Sequence, residues 1–215
     1  MKKTFEKILI MKVSALGDVV RTFPSVVYLR ETFPDAHIAY MVGEPFAELL
    51  EPCPHIDEII RYKKRRNLED LGGFIRFALD IRKKGFDLAL NLQNTGRFDK
   101  IAKISGAKVR SRIIDPDHPM DGVEGVFEIL RTAGLQPGPA KYEFWLTAED
   151  RAFAEGFLHG FNIDGHKPLI GLNPGVAWQS RRWPLEHFAA LADRAQTELG
   201  ARCVVFGNAD RKSVV

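Results

Sequence analysis

The sequence predicts an α/β protein built on an open parallel sheet of the doubly wound type. Short apolar runs alternate with amphipathic segments through most of the chain. The runs are apolar at consecutive positions, which is typical of strands that a parallel sheet buries on both faces. Glycine and proline separate the segments, as expected where strands and helices end. Alternation of this kind indicates a parallel sheet covered by helices.

Five strands are predicted in the first part of the chain, at positions 8–11, 37–42, 56–62, 86–93 and 108–114. A helix follows the first strand, with Pro24 in its first turn and Pro34 beyond its end. Another helix follows the third strand, because apolar residues recur there at helical spacing. These residues are Leu71, Phe74, Ile75, Ala78 and Leu79. Two further helices are predicted to stop at Gly106 and Gly134.

A second, shorter α/β segment is predicted after position 162. A strand at 142–146 and a helix at 147–161 precede the polar, glycine-containing stretch 162–168. A strand at 169–173, an amphipathic helix and a strand at 202–206 follow it. We therefore expect an N-terminal domain at 1–162 and part of a second domain at 163–215. One strand–helix–strand unit is too small for a core of its own, so we expect a truncated chain or a sheet completed elsewhere.

The composition is ordinary for a soluble globular protein, with 45% hydrophobic and 27% charged residues. The two cysteines, Cys53 and Cys203, lie far apart in sequence and fit a reducing compartment. The apolar run behind the basic N-terminus is broken by Lys12 and is too short for a signal peptide or a membrane span. A cytoplasmic protein is therefore expected. The net charge of +3 is too small to indicate nucleic-acid binding.

Gly17 and Asp18 follow the first strand, at the edge where ligands bind in open α/β sheets. We expect Gly17 to adopt a backbone conformation that a side chain would resist. Asp18 would then project into the crevice, where a fixed carboxylate can act as general base towards a hydroxyl nucleophile. Spacing alone favours the alternative, an aspartate that bonds its own turn. Neither of the glycine-rich nucleotide-binding fingerprints is found in the sequence.

A basic run follows the third strand, with five cations in the six positions 61–66. Such runs are commonly solvated loops, but the position at the ligand edge makes an anionic partner an equal alternative. More cations follow the fourth strand and lie along the fifth: Arg97, Lys100, Lys103, Lys108, Arg110 and Arg112. The last three alternate and are expected to share one face. Aromatic residues are not interleaved as single-stranded nucleic-acid binders require.

A short acidic segment holds Asp115, Asp117 and His118, with Asp121 nearby. Asp-x-Asp-His could hold a divalent metal. Asp-Pro-Asp is also a common turn sequence, and no scaffold around it fixes a coordination geometry. The turn is the favoured interpretation.

The segment 173–184 joins a predicted strand to a helix that Pro184 opens. It contains Gly175 and the adjacent pair Arg181 and Arg182. Free backbone amides at a helix start and guanidinium forks together form a phosphate site. Trp183 is interpreted as a packing residue. Of the four candidate ligand-binding segments, this one is the longest and the least likely to arise by chance.

These segments, in this order, resemble the heptosyltransferases of lipopolysaccharide core assembly, which form glycosyltransferase family 9. The resemblance runs in order through essentially the whole chain. The matching positions are 8–10, 16–20, 91–93, 130–131, 134–135, 173–175 and 181–184, with Pro24, His118 and Phe188. The resemblance implies a GT-B architecture: a Rossmann-like acceptor-binding domain, and the first part of a second Rossmann-like domain for the nucleotide sugar.

The resemblance also implies roles for single residues. Asp18 corresponds to the general base, and Arg181 stands where the family usually has a lysine on the donor phosphates; Gly175 and Arg182 are assigned to the same phosphate loop. The implied acceptor-binding residues are Gly17, Arg61, Lys63, Lys64, Arg66 and Arg97. Asn91 stands where many members have aspartate. A later Asp-Thr-Gly-Pro loop of the family, which contributes to the donor site, is not in this sequence.

The implied function is an inverting, metal-independent transfer of heptose from ADP-heptose to the anionic inner core of lipopolysaccharide. No cofactor or metal is expected. The protein would act at the cytoplasmic face of the inner membrane, where basic loops are attracted to the anionic surface. The alternative is a truncated or decayed relative that acts as an anion-binding module without transferase activity. A nucleic-acid partner is the least favoured interpretation.

Overall fold

The computed structural model describes residues 4–63, 71–115, 122–163, 165, 168–175, 180 and 182–207. Several predicted positions, Lys64, Arg66 and Arg181 among them, lie outside the described residues. The chain divides into two compact units, Met1–Leu146 and Thr147–Val215. Each unit is described by itself.

Five parallel strands form the sheet of the first unit. They are β1 (Lys7–Met11), β2 (His37–Gly43), β3 (Glu58–Tyr62), β4 (Leu88–Asn91) and β5 (Val109–Arg110). Their order across the sheet is β3–β2–β1–β4–β5, so β1 is central and pairs with both β2 and β4. This confirms the predicted open parallel sheet. The strand order changes direction beside β1, which is where open α/β sheets form their ligand crevice.

Helices cover both faces of this sheet. Their bounds are α1 (Leu16–Val20), α2 (Phe23–Thr32), a 3₁₀ helix (Glu44–Leu50), α3 (Leu71–Lys83), α4 (Gly96–Ile104) and α5 (Gly122–Thr132). The sequence predicted one helix near Pro24, but the short helix α1 already begins at Leu16, between β1 and α2. Among the described residues, we find no helix with the length and apolarity that crossing a bilayer requires.

The central strand is buried on both sides, as its apolar sequence predicts. Ile10 packs in one core with Phe23 of α2, and Leu9 packs in the other with Ile101 of α4. Each of these side chains is at most 2% exposed. Burial of one such side chain stabilises the fold by about 1.5–3 kcal/mol. The strand ends are therefore held firmly.

Two predicted strands differ from the structure. β5 has two residues rather than the seven of 108–114, because it pairs along one side only, with the first half of β4. Residues 142–146 form no strand. There Trp145 packs against Phe23 with ring centroids 4.6 Å apart, and Glu143 accepts a hydrogen bond from its indole. Aromatic packing on the first unit thus determines this segment.

The second unit contains a two-stranded parallel sheet with helices. Its elements are α6 (Ala148–Gly160), β6 (Leu169–Leu172), α7 (Leu185–Leu199) and β7 (Arg202–Val205), with β6 paired to β7. Phe153 and Phe206 remain more than half exposed, so the described part of this unit buries few large apolar side chains. Helix α6 is grouped with this unit, whereas the sequence assigned it to the first domain; the boundary at 162–163 stays a prediction.

Candidate functional site

The carboxyl ends of four strands form one continuous edge in the first unit. Met11 is in register with Met41 of β2 and with Asn91 of β4, and Gly43 is in register with Tyr62 of β3. The segments that follow these strands therefore start at the same edge. They include the residues that the sequence analysis assigned to catalysis and to the acceptor.

Asp18 lies in α1, directly behind this edge, with 43% of its side chain exposed. The backbone N–H of Ala15 donates to its Oδ2 at 3.3 Å. Asp18 therefore bonds its own turn, as the alternative interpretation predicted, and it also presents part of its carboxylate to solvent. The observed position of Asp18 is therefore compatible with a turn aspartate and with a general base.

Gly17 does not adopt the predicted backbone conformation that a side chain would resist. This residue lies inside α1 and does not have a positive φ, so its backbone is open to any residue. A Cβ built on it would meet no atom within 4 Å. Gly17 instead keeps the surface beside Asp18 free of a side chain.

Two cations flank Asp18. The Nζ atom of Lys12 lies 3.6 Å from Oδ2 of Asp18, and Nη1 of Arg21 lies 3.4 Å from Oδ1. Lys12 is only 12% exposed. Its burial lowers the pKa of the ammonium group, and the carboxylate of Asp18 opposes that shift. The exposed Arg21 is screened by water, whereas the mostly buried Lys12 fixes the position of the carboxylate.

Gln93 holds the loop between β1 and α1. Its Oε1 accepts hydrogen bonds from the backbone N–H groups of Val13 at 3.0 Å and Ser14 at 3.3 Å. The backbone N–H of Gln93 donates to the carbonyl of Met11 at 2.9 Å. The polar residue after β4 therefore positions the loop that leads to Asp18.

Asn91 is buried at the end of β4. Its Nδ2 donates to the carbonyl of Thr95 at 3.0 Å, and its backbone N–H donates to Oγ of Ser111 at 2.8 Å. Its Oδ1 is buried and has no hydrogen-bond partner among the described residues. Asn91 thus supports the turn before α4 and lies beneath the exposed edge.

Gly43 allows the close approach of β2 to the same loop. Its N–H donates to the carbonyl of Val13 at 3.2 Å. A Cβ at Gly43 would overlap that carbonyl oxygen. A larger residue there would push the loop away from the sheet.

The predicted acceptor cations near β3 are paired with acidic residues. Arg61 forms ion pairs with Glu44 of the 3₁₀ helix and with Glu51, the residue that follows this helix. Lys63 lies 3.2 Å from Glu44. Their charge is therefore largely balanced within the protein. The other two, Lys64 and Arg66, lie outside the described residues.

Arg97 lies exposed at the start of α4, across the edge from β3. Burial raises the pKa of the Tyr62 hydroxyl, and the neighbouring guanidinium of Arg97 opposes this shift. The hydroxyl makes no hydrogen bond of ordinary geometry with the described residues. Arg97 makes no ion pair within that same set, so it is the predicted acceptor cation whose charge remains available.

In the second unit, the predicted phosphate segment is described in part. The N–H of Gly175 donates to Oδ1 of Asn173 at 3.2 Å, which closes a tight turn after β6. Arg182 is half-buried, and its Nε is buried without a hydrogen-bond partner among the described residues. Arg181 falls outside them. The role of these residues in binding the donor phosphates stays a prediction.

Trp183 packs on the helix that follows it. Its ring stacks on that of His187 with centroids 5.4 Å apart, and it meets Phe188 edge-on at 4.9 Å. Pro184 is the residue before α7, and Glu186 lies in the first turn, as predicted.

The hypothesis of a metal site falls mainly outside the described residues, since these do not include Asp117, His118 and Asp121. Within the parts of the chain that are described, no three histidine, cysteine or acidic residues are grouped as metal ligands. Metal independence stays a prediction.

Two residues of this site were missed by sequence reasoning. Lys12 is visible as a charge directly after an apolar strand, and Gln93 as the polar end of Asn91-Leu92-Gln93. The pattern around Gln93 does not reveal its hydrogen bonds to the loop before α1, because the partners Val13 and Ser14 are about 80 positions away in sequence.

The chain is similar in sequence to curated lipopolysaccharide heptosyltransferases. Lipopolysaccharide core heptosyltransferase OpsX of Haemophilus influenzae is 26% identical over 205 residues, covering 86% of this chain and 56% of that protein. Lipopolysaccharide heptosyltransferase 2 of Salmonella typhimurium is 25% identical over 222 residues, covering 94% of this chain and 64% of that protein. The chain thus spans less than two thirds of the length of these relatives. No protein-family model matches it.

Solved structures of glycosyltransferases are also similar to this chain. The glycosyl transferase family 9 protein of Veillonella parvula superposes with a TM-score of 0.83 at 26% identity, covering 99% of this chain and 66% of that one. E. coli ADP-heptose LPS heptosyltransferase II gives a TM-score of 0.72 at 23% identity, covering 95% and 65%, and supports the fold alone.

Together the fold and the relatives define the class: a glycosyltransferase-like protein with the α/β architecture of GT-B enzymes. Within that class the chain is similar in sequence to lipopolysaccharide heptosyltransferases and in structure to a family 9 glycosyltransferase, which confirms the resemblance stated from its sequence.

Proposed function

We propose that the protein transfers a heptose from ADP-heptose to the inner core of lipopolysaccharide, with inversion at the anomeric carbon and without a metal. The observation that carries this proposal is the carboxylate of Asp18, which is anchored by Ala15 and Lys12 yet partly open at the carboxyl edge of the sheet. The names of the curated relatives supply the heptose and the lipopolysaccharide core.

The proposed reaction is a single displacement. The acceptor hydroxyl oxygen forms a bond to the anomeric carbon while its proton passes to the carboxylate of Asp18. The bond between that carbon and the phosphate oxygen breaks, and the electron pair leaves with the nucleoside diphosphate. One bond forms and one breaks on opposite sides of the carbon, so the configuration inverts.

Cations and amides of the second unit stabilise the departing diphosphate in this proposal. Arg181 and Arg182 supply guanidinium donors, and the first turn of α7 supplies backbone N–H groups. Gly175 closes the tight turn after β6 in the same phosphate segment. The Nε of Arg182 is buried and has no hydrogen-bond partner among the described residues, which supports a polar ligand for this side chain. The solved E. coli heptosyltransferase WaaC was determined with ADP-2-deoxy-2-fluoro heptose and with ADP, which supports ADP-heptose as the donor class.

The acceptor lies over α1 in this proposal, where Gly17 leaves room beside Asp18. Arg97 contacts an anionic group of the inner core, since its charge is not balanced by a described residue. Arg61 and Lys63 help only if the acceptor displaces Glu44 and Glu51 from them. Lys64 and Arg66 extend the same basic loop. The protein acts in the cytoplasm at the face of the inner membrane that presents the acceptor.

The test is a transfer assay with purified full natural protein, ADP-heptose and heptose-deficient lipopolysaccharide. We expect a heptosylated product of inverted anomeric configuration by NMR, formed at an undiminished rate in excess chelator. Strict metal dependence or retention of configuration would overturn the mechanism. Donor and acceptor binding without turnover would instead support the anion-binding module.

A further inference from the structure

An open groove follows the free edge of β5, the outermost strand of the first sheet. Its volume is about 630 Å³. Three segments line it: α4 with Asp99 and Lys103, the stretch 108–113, and residues 132–134 at the C-terminal end of α5. We call it the β5-edge groove.

Positive charge dominates this groove. Its lining includes four cations, Lys103, Lys108, Arg110 and Arg112, and one carboxylate, Asp99. The carboxylate is already used, because Nζ of Lys103 lies 2.7 Å from Oδ2 of Asp99. The other three cations form no ion pair with any residue that the structure describes. Three positive charges therefore remain unbalanced on one concave surface.

The basic residues at the end of β3 behave differently. Arg61 and Lys63 are neutralised by Glu44 and Glu51. Unpaired cations cost free energy through mutual repulsion, and a concave surface concentrates their field. The β5-edge groove thus provides a stronger attraction for an anion than Arg61 and Lys63 do.

The arrangement of the cations suits more than one anionic group. Lys108, Arg110 and Arg112 occur at alternate positions of the chain, and all three line the same groove. Nη1 of Arg110 donates to the carbonyl of Ala107 at 2.9 Å, which orients the guanidinium and leaves further donors free. A guanidinium fork matches two oxygens of one phosphate.

An added peptide strand is a poor fit for the same edge. The N–H of Arg112, which points away from β4, donates to Oγ1 of Thr132 at 2.7 Å. Thr132 in turn donates to the carbonyl of Ile129 at 2.6 Å. A hydroxyl from α5 thus closes part of the backbone edge, so side chains rather than ladder hydrogen bonds must bind the ligand.

We propose that the β5-edge groove binds a ligand with two or more phosphate groups, through Lys108, Arg110 and Arg112. The phosphates belong either to lipid headgroups or to a soluble phosphorylated compound. Ile113, which lines the groove and is 41% exposed, contacts the part of the ligand between them. The proposal goes beyond the transfer reaction and does not depend on Asp18.

The test compares two double variants of the full natural protein. Lys108→Gln with Arg112→Gln removes two groove charges and no hydrogen bond made by either side chain to a described residue. Lys83→Gln with Arg194→Gln removes two charges from exposed pairs with Asp80 and Glu198, and is the matched control. Circular dichroism verifies that both variants fold.

Two probes distinguish the source of the phosphate. Binding of inorganic pyrophosphate is measured by calorimetry, and binding to phosphatidylglycerol vesicles by cosedimentation, with phosphatidylcholine vesicles as the neutral reference. We expect the groove variant to bind at least one anionic probe about tenfold or more weakly than the natural protein, and the control to bind like it. Loss with pyrophosphate indicates a soluble ligand, and loss with vesicles alone indicates lipid headgroups. No binding of either probe, or equal loss in both variants, overturns the proposal.

Discussion

Nζ of the mostly buried Lys12 lies 3.6 Å from Oδ2 of the half-exposed Asp18. The lysine follows the central strand directly, so its backbone is fixed by the sheet, and its N–H donates to the carbonyl of Met41 at 3.0 Å. The carboxylate therefore has one rigid neighbour beneath it and solvent above it. The proposed general base depends on this contact for its position.

Replacement of Lys12 by methionine keeps most of the side-chain volume and removes the charge. We expect kcat of the transfer reaction to fall by about tenfold to a hundredfold, because a displaced catalytic group loses alignment. KM should change little, and Lys12→Arg should recover part of kcat. An unchanged kcat in Lys12→Met, measured by steady-state kinetics, would show that Asp18 is held without Lys12.

Gln93→Leu removes the acceptor of two backbone N–H groups in the loop before α1. We expect the free energy of unfolding to fall by about 1–3 kcal/mol, because the N–H of Val13 loses its partner at a partly buried position. Urea unfolding measures the change. Gln196→Leu, on the exposed face of α7, is the control and should be near neutral. Equal effects of the two substitutions would remove the role assigned to Gln93.

Alanine substitutions at two glycines separate folding from function. Gly17→Ala should leave stability unchanged or raise it by about 0.5–1 kcal/mol, because the position is helical and open, yet it should impair acceptor use. Gly43→Ala should cost about 1–3 kcal/mol through overlap with the Val13 carbonyl. Thermal unfolding and acceptor KM report the two effects. A destabilised Gly17→Ala with normal KM would contradict this assignment.

Acid should lower the free energy of unfolding by protonating Asp57, which connects α2 to the start of β3 through its hydrogen bond with Arg30. Burial opposes its ionisation, but hydrogen bonds from the N–H of Ile38 at 2.7 Å and from Arg30 at 2.6 Å prevail and lower the pKa of this carboxyl below its usual value of 3.8. A lowered folded-state pKa contributes stability that is complete above the unfolded-state pKa. That contribution is lost as pH falls through the lower, folded-state pKa.

The corresponding measurement is urea unfolding of the natural protein and Asp57→Asn between pH 6 and pH 2. The natural protein should be more stable at pH 6, and the difference should shrink below about pH 4. Asp80→Asn, at an exposed helix position, is the control and should show a much smaller difference throughout. A difference that stays constant with pH would contradict the role of the Asp57 carboxylate.

The sequence predicted the elements whose pattern is local. The apolar runs around Leu9 and Tyr40 identified buried parallel strands, because consecutive apolar positions have few other stable placements. The strand predicted at 108–114 was too long and that at 142–146 was wrong, since pairing at an edge and aromatic packing on Phe23 depend on distant partners.

The site was predictable only in part for the same reason. Asp18 could be found because it follows a strand at the ligand edge, a local feature of the chain. Its contact with Lys12 and the support from Gln93 depend on side-chain orientation and on pairing of β1 with β4. The balance of charge could not be predicted either, because the sequence does not reveal that Glu44 and Glu51 neutralise Arg61 and Lys63 while the β5-edge groove stays positive.

The central claim is that Asp18 takes the proton from the acceptor. The most direct measurement is the rate of heptose transfer by Asp18→Asn in the full natural protein, beside Asp80→Asn as a control that changes an exposed carboxylate elsewhere. We predict that Asp18→Asn loses about 10²–10⁴-fold in kcat while it still binds donor and acceptor, and that the control is unchanged. Transfer by Asp18→Asn at the rate of the natural protein would contradict the account.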